Sequence, residues 1–140
     1  MAAQEKLIRI TAFIYRKPGM SSEEFHHYWS EIHGPKMVDL SLRYGVVDYR
    51  QYHTTPETKE LLNVATKAMG KECMAHDGTA ETLVKDLGQY LHMNADPEYL
   101  EKMVPDEEAF MDRSRLEFTI GYEYGIISNG KFVTEHARKY

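Results

Sequence analysis

The run Leu7-Ile8-Arg9-Ile10-Thr11-Ala12-Phe13-Ile14-Tyr15 decides how the rest of the chain reads. In an extended backbone Ile8, Ile10, Ala12 and Ile14 fall on one side, and Arg9, Thr11, Phe13 and Tyr15 on the other. The aliphatic side predicts a strand packed against helices. The mixed side predicts a wall that meets something partly polar, so a ligand cavity is expected there, on the side of the sheet away from the helices.

Downstream, Lys17-Pro18-Gly19 breaks the strand, and Ser21 with Glu24 forms a capping box ahead of Phe25, Tyr28, Trp29 and Ile32 at helical spacing. That helix is expected to end near Gly34-Pro35. Met37, Val38 and Leu42 support a second helical piece, closed by Gly45. Val46–His53 alternates again, with Val47, Tyr49, Gln51 and His53 on one face. Thr55-Pro56 opens a helix carrying Leu61, Leu62, Ala65 and Met69, which Gly70 closes. Asp77-Gly78 reads as a turn, Thr79–Val84 as a short polar strand, and Leu87, Tyr90 and Leu91 as a helix. Asp96-Pro97 and Val104-Pro105 each restart helical turns. Arg115–Ile127 is the longest strand expected, and Asn129-Gly130 marks a hairpin before Phe132-Val133.

The order strand, helix, strand, helix, strand, helix, strand predicts an α+β fold: a four-stranded sheet with helices on one face. The opposite face is left bare, and burying it against an identical chain predicts a homodimer. The chain has 140 residues, the length of one domain, and 42% hydrophobic residues to build a core. Its net charge of −5 offers no basic stripe for a phosphate backbone, and its longest basic cluster is the terminal Ala137-Arg138-Lys139. Nucleic acid is therefore not expected as a partner. No stretch approaches a membrane span or a leader, so a soluble, cytoplasmic protein is expected. Cys73, the single cysteine, has no thiol partner for a disulfide or zinc knuckle.

Lys17-Pro18-Gly19-Met20-Ser21, Phe25, Tyr28-Trp29 and His33-Gly34-Pro35 together resemble the opening of the EthD family. Arg43-Tyr44-Gly45, Gln51-Tyr52-His53-Thr54, Asp77-Gly78, Asp96-Pro97 with Tyr99, and Pro105-Asp106-Glu107 with Phe110 and Asp112 extend the likeness to a fungal branch of it. The resemblance implies a ferredoxin-like antiparallel sheet paired into a dimeric α+β barrel. It further implies a cofactor-free enzyme of aromatic polyketide pathways, either a decarboxylase of anthraquinone-type acids or a dehydratase of cyclised polyketides.

Seven histidines dominate the groups that titrate near neutrality. His26, Trp29, Ser30 and His33 return to one helical azimuth at spacings of three, four and seven. His33, within the family motif, is a catalytic candidate, whereas His26 and His27 are expected in solvent and His92 and His136 on the surface. His53 shares a strand face with Tyr49 and Gln51, a line of hydrogen-bonding groups suited to acid–base work on a phenol or carbonyl. Asp77 is the carboxylate candidate for orienting an imidazole. Tyr15, Phe13, Trp29, Tyr49, Gln51, Glu81 and Phe118 are the candidate substrate-binding residues. No His-Glu-x-x-His, paired cysteines, Asp-rich loop or dinucleotide glycine motif occurs, so neither metal nor cofactor is expected.

The reaction expected first is decarboxylation of a β-keto or ortho-hydroxy aromatic acid, with His53 or His33 protonating carbon and Tyr49, Gln51 and Tyr15 holding the oxyanion. The alternatives are dehydration of a cyclic β-hydroxyketone, cofactor-free oxygenation of an anthrone-like carbanion, and non-catalytic binding of hydrophobic aromatic ligands.

Overall fold

The computed structural model describes residues 6–135, and His136 and the basic cluster Ala137-Arg138-Lys139 lie outside them. Alternation produces β1, Ile8–Ile14, in which Ile10 and Ile14 are buried. Three helical pieces, α1 (Ser22–His27), α2 (Gly34–Lys36) and α3 (Val38–Arg43), lead to β2 (Asp48–His53). Helix α4 (Pro56–Ala68) connects it to β3 (Gly78–Val84), and α5 (Leu87–Ala95) and α6 (Val104–Glu108) lead to β4 (Glu117–Tyr122). A hairpin of β5 (Ile127–Ser128) and β6 (Lys131–Phe132) follows, turning at Asn129 and Gly130 with φ of 51° and 73°. Two successive left-handed residues are what a tight hairpin needs, and Asn-Gly supplies them.

The four strands lie in the order β2-β3-β1-β4, every pair antiparallel, which is the ferredoxin-like arrangement. Their register sets Tyr49, Thr82, Ile10 and Ile120 in one row, and Gln51, Ala80, Ala12 and Phe118 in the next. These rows face the helices. Ile10 packs with Met37, Leu40, Val84 and Met93, while Ile14 packs with Phe25, Trp29, Phe110 and Met111. Each large apolar side chain buried in this way contributes about 1.5–3 kcal/mol. The opposite face carries Arg50, Glu81, Thr11 and Thr119 in one row, with Arg9 within 3.5 Å of both Glu81 and Glu123. The polar run from Thr79 therefore belongs to a central strand, its acid turned to the face without helices. Among the described residues no helix is long and apolar enough to cross a membrane.

The capping box forms as read: Ser21 Oγ accepts from Glu24 N at 3.1 Å, and Ser21 N donates back to Glu24 Oε2 at 3.2 Å. Ser21→Ala is expected to cost ~1 kcal/mol, seen as a lower urea midpoint. Gly34-Pro35, however, does not stop the helical path, which continues through α2 and α3. Residues 28–33 widen instead, and Gly34 N donates to Trp29 O five residues back. The same device precedes Pro105, where Val104 N donates to Tyr99 O. A proline ring collides with the carbonyl four residues earlier in a regular helix, and a wide turn in front of it relieves the clash.

Two other expectations change. The strand read as Arg115–Ile127 is only β4, whose pairing with β1 runs from Glu117 opposite Phe13 to Tyr122 opposite Ile8, with Glu123 N donating to Leu7 O at its end. Asp77-Gly78 is the start of β3 rather than a tight turn. Gly78 is required there by close approach, since a Cβ would lie 2.5 Å from the Trp29 ring and 2.7 Å from Tyr52 O.

Candidate active site

Between the helix-facing side of the sheet and the helices lies a cavity of about 550 Å³, with Ala12, Ala80 and Phe118 on its sheet wall. The cavity expected on the opposite face is thus on the covered one. The reason lies in residue size: Ala12 and Ala80 sit side by side in adjacent strands, and small residues at the centre of a packed layer leave room that the surrounding Met and aromatic side chains do not fill.

His33 lines this cavity and is only 5% exposed. Its Nδ1 lies 2.8 Å from Asp106 Oδ2, and Asp106 also accepts from Tyr28 Oη at 2.5 Å and Lys36 Nζ at 2.9 Å. In a regular helix, residues five apart diverge; in the wide turn of residues 28–33 they share a face, which aims both Tyr28 and His33 at Asp106. Burial opposes the charge on Asp106, yet the hydrogen bonds from Tyr28, Lys36 and His33 hold its carboxyl below the usual carboxylate range. An ionised carboxylate on Nδ1 fixes the imidazole tautomer and leaves Nε2 for a molecule in the cavity.

A second acid stands on the same wall. Glu107 is 7% exposed and accepts from Tyr99 Oη at 2.5 Å. Burial pushes its carboxyl up, against the opposing pull of the Tyr99 hydrogen bond and the Arg113 charge. Burial likewise raises the Tyr99, Tyr90 and Tyr49 hydroxyls, so all three stand as neutral donors along the cavity. The wall therefore offers an oriented base, a buried acid and phenolic donors.

Of the residues singled out in the sequence, the structure brings His33, Trp29, Tyr49 and Phe118 to this cavity. Gln51 stands behind it, donating from Nε2 to Trp29 O at 2.9 Å. His53 shares the helix-facing side of the sheet but does not line the cavity: its ring packs on Trp29 with centroids 4.5 Å apart, its Nε2 meets Gln51 Oε1 at 2.9 Å and its Nδ1 meets His26 Nδ1 at 2.6 Å. Asp77 orients no imidazole; its Oδ2 accepts from Arg16 N at 2.8 Å and secures the strand end. Phe13 projects from the other face onto the edge of His76, whose ring centroid is 5.0 Å away. Tyr15 lies beneath the Arg115 guanidinium at 3.6 Å, and Glu81 is engaged by Arg9. Of the face expected for His26, Trp29, Ser30 and His33, Trp29 and His33 do line the cavity together, whereas Ser30 is exposed and His26 is part-buried against His53 instead of solvated.

Asp106, Glu107, Tyr99, Tyr90 and Arg113 were not among the candidates. The signal was the motif Pro105-Asp106-Glu107, whose two adjacent acids follow a helix-restarting proline.

The His26–His53 contact has a measurable consequence. Burial lowers both imidazole pKa values, and for His26 the adjacent His53 lowers it further. A folded-state value below the unfolded one, near 6.5, means the unfolded chain takes up protons first as pH falls. Stability is then unaffected above that value and declines below it. Urea midpoints should drop between about pH 7 and pH 5, and the drop should be smaller in His53→Gln.

The EthD domain family matches residues 17–114. Dehydratase aurZ of Gibberella zeae is 32% identical over 129 residues, covering 92% of this chain and 85% of that protein. Decarboxylase claH of Passalora fulva is 30% identical over 130 residues, covering 93% and 84%. The crystal structure of an EthD family protein from Bacillus halodurans shares the fold, with a TM-score of 0.53 at 16% identity over 84% of this chain and 99% of that one.

Proposed function

The chain belongs to the EthD domain family, and from that premise we propose that it is a lyase that dehydrates a cyclised β-hydroxyketone polyketide on its way to an aromatic ring. The observation that carries this reading is a carboxylate-backed imidazole and a buried acid on one cavity wall. His33 removes the proton α to the ring carbonyl, and the Tyr49 hydroxyl supports the enolate oxygen that forms. Glu107 hands its proton to the departing hydroxyl, which leaves as water. One proton gained by His33 and one lost by Glu107 balance, and the two groups sense each other electrostatically. The cavity volume of about 550 Å³ suits a small multi-ring ligand.

Dehydration is preferred to decarboxylation because loss of carbon dioxide from a β-keto acid needs an acid but no base. The second reading is nevertheless favoured by a specific observation: claH, similar over most of this chain, is named a decarboxylase. There His33 or Glu107 would protonate the carbanion. Incubation with a cyclised β-hydroxyketone and with a β-keto aromatic acid, followed by mass spectrometry, separates the two. Loss of water supports the first reading, loss of carbon dioxide alone replaces it with the second, and an unchanged mass for both substrates defeats each.

A homodimer joined through the sheet face that no helix covers belongs to the same proposal. Tyr52, Glu117 and Thr119 are exposed on that face. Sedimentation equilibrium should return twice the chain mass.

A further inference from the structure

Arg113 reaches the cavity from the turn Arg113–Arg115. Asp112 pins that turn, accepting from Ser114 N at 3.1 Å and from Ser114 Oγ at 2.5 Å, while Asp112 N donates to Tyr15 O. The backbone that carries Arg113 is therefore set before any ligand arrives. Its Nε is buried and has no hydrogen-bond partner among the described residues. The nearest carboxylate oxygen, Glu107 Oε1, is 4.0 Å away, an ion-pair distance beyond a hydrogen bond, and Tyr99 already donates to it. The Arg113 side chain as a whole is 35% exposed, but a buried N–H of it left without an acceptor is costly, and in a cavity wall the acceptor is one that arrives with the ligand.

We propose that Arg113 is a specificity-determining residue of this site, holding an anionic oxygen of the bound aromatic molecule, a carboxylate or an ionised phenol, while His33 acts on the ring carbon. The planar guanidinium suits either group, and its fork matches a carboxylate best. The inference rests on the reading of the cavity as a substrate site. Tyr99 Oη already occupies the Glu107 carboxyl, at 2.5 Å from Oε1 and 3.2 Å from Oε2, so Arg113 Nε is left for an acceptor of the ligand.

Calorimetric titration of the intact protein with a hydroxynaphthoate, the matching hydroxynaphthamide and a naphthol tests this without turnover. The wild type should bind the acid more tightly than the amide. Arg113→Gln should weaken the acid about ten- to a hundredfold and leave the amide unchanged, with Arg113→Lys recovering part of the loss. A naphthol whose affinity rises on ionisation in the wild type, but not in Arg113→Gln, assigns the phenolate as source; a gain confined to the acid assigns the carboxylate. Equal binding of acid and amide by the wild type, with no gain when naphthol ionises, overturns the proposal, as does equal weakening of all probes in Arg113→Gln. Should that variant fail to fold, the wild-type comparisons decide. Charge-selective binding with no lyase activity would leave Arg113 as assigned and remove the dehydration reading; turnover with charge-blind binding would do the reverse.

Discussion

His33→Gln is expected to lower turnover by about 10²–10⁴-fold, the usual worth of a positioned general base, while KM changes little. The side chain is nearly enclosed, its Nδ1 is taken by Asp106, and its remaining nitrogen is the one available to a ligand in the cavity it lines. Glutamine retains an amide for Asp106 and fills similar space, so the loss would report proton transfer rather than collapse. Asp106→Asn should show a milder loss of turnover, because the imidazole keeps its place but loses its tautomer bias. It should also destabilise the fold, since Tyr28, His33 and Lys36 all converge on that carboxylate. As Asp106 is held below its ordinary range, its stabilisation is present above the unfolded carboxylate pKa and lost as pH falls through the folded value. A pH dependence of turnover that survives intact in His33→Gln would remove His33 from the mechanism.

Phe110→Ala is expected to destabilise the protein by about 3–5 kcal/mol, against a total of roughly 5–15 kcal/mol for a domain of this kind. Phe110 is completely buried, and its ring stands among those of Phe25, Tyr28 and His33, with centroids 5.8, 5.4 and 4.9 Å away. Truncation therefore opens a void beside the imidazole as well as in the core. The urea midpoint should fall steeply with little change in slope, and activity at low denaturant should fall with it. A midpoint shift worth under about 1 kcal/mol would mean that the site relaxes into the gap and that Phe110 does not hold His33 in place.

The strands and most helix starts were legible because their signals are local. Alternation in Ile8–Ile14, the Ser21 and Glu24 cap, and the Asn129-Gly130 turn each depend on a few consecutive residues and recur unchanged in the structure. Gly78 was misread because its small size answers to Trp29, about fifty positions away in the chain. Asp77 and His53 were reasonable acid–base candidates on chemistry alone, yet each spends its polar atoms on structure: one on Arg16 N, the other on His26 and Gln51. Phe13, Tyr15 and Glu81 followed from placing the cavity on the side of β1 away from the helices, and none of them lines the cavity found on the helix-facing side.

The sequence by itself determined an α+β chain with four alternating strands, helices for one face of the sheet, and a family motif around His33, because periodicity and capping are properties of neighbours. Only the tertiary structure decided which imidazole is paired with which carboxylate. His33 and Asp106 are 73 residues apart, and their contact depends on a wide turn before Pro35, another before Pro105, and the packing of Phe110 between the segments. Such a meeting is set by how helices seat on a sheet, and no spacing along the chain encodes it.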